Sequence, residues 1–263
     1  MTFIGSCANL INMKDEKIRI GKAAEILGMS VQTLRNWEKT GKLLSQRSEG
    51  GQRYYLLQDI QRLALDLEKL GWAWASSAQP PEIPAEYYCE QQARFSSRLE
   101  KMGLLLSQTK SVSEEAASLL TTVAGEIGDN SFMHNIGNWP DVPGIFFAYD
   151  IGKRFIVLAD RGQGVRKTLS RVRPNIETDV EALRVAFTEI VSGREPEKRG
   201  NGLKVVRRIV ELNPIGFLFR SGVAKVSARG GSAFGGKSPK EQGSITITAA
   251  SENIRGAYAV IKF

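Results

Sequence analysis

The apolar positions change period several times along the chain, and each change predicts an element. In "IRIGKAAEILGMSVQTLRNWEKTGKL", Ala23, Ala24, Ile26 and Leu27 share one helical face, and Gly28 ends the run. Ser30 is a good N-cap for a second helix carrying Val31, Leu34 and Trp37 at i, i+3 and i+6. "SEGGQ" then predicts a turn, and "SSAQPPEIP" reads as a linker from its proline and small polar content. Tyr88, Phe95, Leu99, Met102 and Leu106 fall at intervals of seven, four, three and four, an a/d stripe interrupted by Gln92 and weakened by Gly103. That stripe fits either a homodimer seam or packing on the chain's own C-terminal domain. Beyond it, "LLTTVAGEIGDNSFMHN" reads as a helix and "GIFFAYDIGKRFIVLAD" as two strands around an "IGK" turn. "DVEALRVAFTEIV" and "GLKVVRRIVEL" are helical, while "SITIT" and "RGAYAVIKF" are strands.

Composition narrows the classes. The chain of 263 residues is 42% hydrophobic and 24% charged, ordinary for a globular protein. Its net charge of +8 favours an acidic partner, with nucleic acid first. Cys7 and Cys89 are far apart and His134 is the single histidine, which argues against a Cys/His metal cluster or a disulfide framework. No apolar run approaches a membrane span, so the expectation is a cytoplasmic protein without a membrane partner.

The first two helices, joined by a tight glycine-containing turn, make a helix-turn-helix. Its second helix would enter the major groove of double-stranded DNA and present Ser30, Gln32, Thr33, Arg35 and Asn36 to base edges. The Gly-Gly turn between Arg47 and Arg53-Tyr54 suits a hairpin wing whose arginines reach phosphates. From Met13 to Arg53 nine basic residues face five acidic ones. The run resembles the MerR-type regulators on Ile20, Gly21, Ala24, Gly28, Ser30, Thr33, Leu34, Arg35, Trp37, Glu38 and Gly41, then on Arg47, Gly51, Arg53 and Tyr55. The resemblance implies a winged helix-turn-helix; the ligand-sensing cysteine cluster common in that family is missing here.

Two glycine-rich segments compete as a nucleotide site. Gly231-Ser-Ala-Phe-Gly-Gly236-Lys237-Ser238 satisfies the phosphate-loop spacing. A working loop of that kind opens a helix, whereas here Pro-Lys-Glu-Gln-Gly243 leads straight into "SITIT". We read that match as accidental. In the alternative set, Glu126 and Asn130 project from one helical face at i, i+4. The glutamate can deprotonate a water and the asparagine oxygen can ligate Mg²⁺. Asp160 ends a strand directly before Gly162 and Gly164, where an acceptor-only carboxylate can take an adenine amino group. Gly200 and Gly202 open an amphipathic helix whose first N–H groups suit phosphates, with Lys204 nearby.

In order and spacing, Glu126…Asn130, Asp160-Arg-Gly162-Gln-Gly164 and Gly200-Asn201-Gly202-Leu203 resemble the GHKL ATPases, the group of gyrase and the histidine kinases. The resemblance implies a GHKL/Bergerat α/β sandwich with a mixed sheet, bound ATP (or ADP) with Mg²⁺, Glu126 as catalytic base, and a lid between Val165 and Arg199. The family's threonine near the closing strand is Ala257 here. A histidine kinase needs a phosphoacceptor histidine on a separate helical hairpin, which this chain lacks; His134 lies beside the site or packs in the core.

The fold class is therefore α+β, in three segments. Residues 14–75 form the winged helix-turn-helix, 76–112 a linker and helix, and 113–263 the GHKL-type domain. The function expected is a DNA-binding transcriptional regulator with weak ATPase activity. The alternatives are an anti-sigma-type protein serine/threonine kinase, which needs a protein partner, and an inactive nucleotide fold that serves as an interaction domain.

Overall fold

The computed structural model describes residues 16–27, 30–39, 41, 43–48, 50–64, 66–189, 202–228 and 244–263, apart from the side chain of Thr33. They form two compact units, divided between Asp66 and Leu67.

In the first unit β1 (Lys17–Arg19) leads into α1 (Ile20–Leu27) and α2 (Val31–Lys39). The strands β2 (Gln46–Arg47) and β3 (Arg53–Leu56) follow, then α3 (Leu57–Ala64). The sheet order is β1-β3-β2, all antiparallel. Ala23 and Ala24 of α1 and Leu34 of α2 pack with Leu43, Tyr55 and Ile60 into one small core. The helical periodicity thus reads correctly, and β1 is an addition that its short alternation did not reveal.

The second unit begins with α4 (Leu67–Ser76) and β4 (Tyr88–Cys89), followed by α5 (Gln92–Ser107) and α6 (Glu114–Asn135). Then come the hairpin β5 (Ile145–Asp150) and β6 (Phe155–Asp160), α7 (Gly164–Leu169), α8 (Asp179–Thr188) and α9 (Gly202–Leu212). Two long strands close it, β7 (Gly216–Ala228) and β8 (Thr246–Lys262). The sheet order is β4-β5-β6-β8-β7.

Every registered strand pair in this sheet is antiparallel, so the mixed sheet expected from the sequence is not what forms. Each neighbour is reached through a hairpin or a long return, with no parallel crossover among the described strands. One sheet face, with Ile145, Phe147, Ile156, Leu158 and Ile261, shares a core with α5, α6, α8 and α9. The opposite face is covered by α4, where a Cβ on Gly71 would stand 2.7 Å from Val157 and 3.0 Å from Phe146. All six residues of β6 are buried as a result.

This packing moves two boundaries. Helix α4, assigned by sequence to the segment 14–75, belongs to the second unit. The a/d stripe of α5 is consumed inside the chain: Phe95, Met102 and Leu106 are fully buried. Its receiving groove is made by glycines of α6. A Cβ on Gly128 would overlap the Phe95 ring, and one on Gly125 would stand 3.2 Å from Leu99 Cδ2. The stripe is therefore core and no dimer seam.

Helix α6 is capped by Ser113, whose hydroxyl accepts from Ala116 N–H at 3.1 Å. Thr178 caps α8 in the same way through Glu181 N–H at 3.1 Å. Leu183, Ala186 and Phe187 of α8 lie in the main core. The span expected to be a lid thus contains a core helix, and residues 190–199 of it lie outside the described residues.

Candidate functional site

In the first unit Leu34 is buried and anchors α2, and the periodicity then turns Gln32, Arg35 and Asn36 outward, all exposed, with Ser30 exposed just before the helix. Gln32 Nε2 donates to Asn36 Oδ1 at 3.3 Å, so two of the expected base-reading amides pre-order one another. The wing turns through Gly51 at φ +74°, a left-handed conformation that glycine adopts without strain. Ser48 N–H donates to Gln52 O at 3.0 Å across that turn.

Glu38 is the residue that sequence reasoning used only as a motif letter. Its Oε1 accepts from Ser45 Oγ at 2.7 Å, and its Oε2 accepts from Arg53 Nε at 2.6 Å. Arg47 Nη2 approaches at 3.5 Å. The Ser45 hydroxyl and the Arg53 and Arg47 charges hold this carboxyl below its usual range against the opposing effect of burial. Arg53 thus braces the wing against α2, and Arg47, paired with the same carboxylate at longer range, is the more exposed of the two arginines expected to reach phosphates. The Tyr54 hydroxyl donates to Gln52 Oε1 at 3.2 Å.

In the second unit, α6 gathers most of the residues singled out by sequence. Glu126 and Asn130 face the first residue of α9: a Cβ on Gly202 would overlap Glu126 Oε2 and stand 3.2 Å from Asn130 Nδ2. Gly202 is thus needed for close approach at that point. Burial, reinforced by the nearby Asp129, raises the Glu126 carboxyl above its ordinary 4.5. Lys204, in the first turn of α9, is shifted down by burial, with Glu189 opposing. Leu203 packs against the main core. Gly200 and Asn201 lie outside the described residues, as does the whole 231–238 loop.

The residue after Asn130 on α6, Ser131, donates its Oγ to Asp160 Oδ2 at 2.7 Å, and Gly162 N–H donates to Oδ1 at 2.8 Å. Ala257 N–H also bonds this carboxylate, yet burial dominates and raises its pKa. Gly256, at φ +59°, leaves room for the Asp160 carboxylate, which a Cβ there would overlap.

The loop after Asp160 is held by residues that sequence reasoning missed. Asn135 is buried, its Oδ1 accepts from Gln163 N–H at 2.8 Å, and its Nδ2 donates to Ser131 O at 2.7 Å. A Cβ on Gly162 would overlap the Asn135 amide, so the close packing of the loop on α6 requires a glycine there. The available signal was position: Asn135 ends the helix that carries Glu126 and Asn130. His134, by contrast, is exposed in the last turn of α6 and is not a core residue.

The space against Asp160, lined by Ile127, Ser131, Leu158, Ala257 and Tyr258, is too small for a water molecule. An open cavity of about 320 Å³ borders the same loop at Gly164, Lys167, Gly222 and Arg255, but Glu126, Asn130 and Asp160 do not line it. Among the described residues no group of three or more His, Cys, Asp or Glu could hold a metal ion. Asn130, half-buried beside Glu126, fits Mg²⁺ only in the usual way for that ion, with phosphate and water oxygens completing the shell. No helix among the described residues is long and apolar enough to cross a membrane.

Residues 19–55 match the family model described as "MerR family regulatory protein". That segment is a MerR-type helix-turn-helix domain of the DNA-binding regulators, in agreement with its exposed α2 face and its wing. A stretch of 53 residues is 42% identical to "Type II methyltransferase M.Eco47II" from Escherichia coli, covering 20% of this chain. The chain spans only 13% of that relative's length.

Proposed function

We propose that the protein is a DNA-binding transcriptional regulator whose second unit is a GHKL-type domain that binds ATP·Mg²⁺ and hydrolyses it slowly as a conformational switch. The carrying observation is the meeting of Glu126, Asn130 and Gly202 at the start of α9, on the helix that bonds Asp160 through Ser131. Asp160 accepts the adenine amino group, and Gly162 and Gly164 shape the loop beside it. The N-terminus of α9, with Gly202, Leu203 and Lys204, receives the phosphates, together with Gly200 and Asn201, which lie outside the described residues. Asn130 would hold Mg²⁺, which supplies charge neutralisation at phosphate oxygens when bound. Glu126 takes the proton of the attacking water, and its raised pKa brings it closer to the operating pH of a general base. ADP is then released. No step uses His134.

Calorimetry with ATP and Mg²⁺ on wild type, Asp160→Asn and Lys237→Ala tests the reading. Loss of binding in Asp160→Asn alone supports it. Loss in Lys237→Ala alone transfers the site to the 231–238 loop. A second reading, an inert nucleotide fold used for interaction, is favoured by the closed space against Asp160; absence of ATP binding in the wild type would select it.

A further inference from the structure

Arg161 sits between Asp160 and Gly162 and is fully buried, the largest such side chain among the described residues. All five of its N–H groups have acceptors. Nε and Nη2 donate to Asp141 Oδ2, Nη1 to the carbonyls of Trp74 and Ser77, and Nη2 to the carbonyl of Ala78. A buried charge is tolerated when it is paired and hydrogen-bonded in this way. Three of those acceptors lie at the last turn of α4 and the two residues beyond it. The loop that follows Asp160 is thus bolted to the C-terminal end of α4.

The rest of α4 rides on the strands that frame the same carboxylate. Tyr258 on β8 donates its hydroxyl to Glu68 O at 3.1 Å, and Lys262 pairs with Glu68 at 2.9 Å. Gly71 packs against Val157 of β6. At its other end, α4 is separated from α3 of the DNA-reading unit by residues 65 and 66 alone.

We propose that Arg161 is a positioning residue that couples the nucleotide loop to α4, and through α4 to the DNA-reading unit. The inference rests on the nucleotide reading above. Adenine capture at Asp160 exchanges hydrogen bonds on the residue next to Arg161, and any shift of the 160–164 backbone must carry the 74–78 carbonyls with it or break these bonds. Coupling of this kind is a difference in DNA affinity between nucleotide states, and it is reciprocal.

The test measures the affinity for a fluorescein-labelled duplex, selected from a random pool, with and without ATP·Mg²⁺, alongside calorimetry of ATP binding. Wild type should change its DNA affinity by about fivefold or more on nucleotide binding. Arg161→Lys keeps the charge but loses the planar five-donor fork. Its ratio of DNA affinities should fall close to one while ATP binding persists. A merely structural arginine would lower thermal stability and leave that ratio at the wild-type value, which overturns the proposal. Should Arg161→Lys fail to fold, Asp141→Ala, which removes the carboxylate partner of Arg161 from a half-buried position, decides by the same ratio. ATP binding in the wild type with no effect on DNA affinity overturns the coupling and leaves the nucleotide reading intact. Absence of ATP binding removes both.

Discussion

The hydroxyl of Ser131, near the C-terminal end of α6, donates to Oδ2 of Asp160 at the end of β6 across 2.7 Å, inside the core. This bond ties the helix of Glu126 and Asn130 to the strand end expected to read adenine. Hydrogen bonds to a charged group contribute about 1.5–3 kcal/mol, so Ser131→Ala should destabilise the second unit by that order. It also removes a bond that lowers the Asp160 pKa, which should move further up. With a folded pKa already above the unfolded value, ionised Asp160 opposes folding. Stability from this group is full below its ordinary 3.8 and is lost as pH rises through the raised folded value. Urea denaturation across the acidic range should show that loss displaced to higher pH in Ser131→Ala and absent in Asp160→Asn.

Glu38 and Arg35 sit on one helix and should fail differently. Glu38→Ala frees Ser45 and Arg53 together, loosening the wing, and should destabilise the first unit by about 1–3 kcal/mol. Its depressed pKa means that this contribution is present above the unfolded value and fades as pH falls through the folded one. DNA affinity should drop alike on every sequence. Arg35→Ala should leave stability unchanged, weaken binding to a selected duplex by about 1–3 kcal/mol and relax one base preference. Equal loss on all duplexes would instead make Arg35 a phosphate contact.

Asp129 is exposed one turn before Phe132 and helps to hold the Glu126 pKa up, second to burial. If Glu126 is the base, Asp129→Asn should shift the acidic limb of the ATPase pH profile downward. Glu126→Ala should abolish turnover while ATP still binds, measured by phosphate release and calorimetry. Unchanged hydrolysis in Glu126→Ala would remove the residue from the mechanism.

Gly71 tests the seating of α4. Alanine is favoured over glycine within a helix by about 1 kcal/mol. A Cβ there would stand 2.7 Å from Val157 and 3.0 Å from Phe146, and overpacking typically costs about 1–3 kcal/mol. Gly71→Ala should therefore lower the thermal midpoint on balance. A raised midpoint would show that α4 can lift from the sheet without loss.

Local chemistry was legible where one element dictates its own form. The turn at Gly51, the outward face of α2 and the hairpin of β5 and β6 follow from residue type and period alone. The family match over residues 19–55 agrees with that reading. The spacing Glu126…Asn130 likewise fixed both side chains on one face of α6, because a helix repeats every 3.6 residues.

What an apolar stripe packs against, and whom a charge pairs with, depended on the tertiary structure. The stripe of α5 went into the core because Gly125 and Gly128 of α6 open a groove for Phe95 and Leu99, a complementarity between two helices that neither sequence states. Arg53 found Glu38, and Arg161, a spacer letter in its motif, found the end of α4 more than eighty residues earlier. Sequence by itself determined the α+β elements, the MerR-type reading head and the candidate chemistry of Glu126, Asn130 and Asp160. Only the tertiary structure decided the antiparallel sheet, the seating of α4 and the burial around Asp160, since these arise from long-range packing and desolvation that periodicity does not encode.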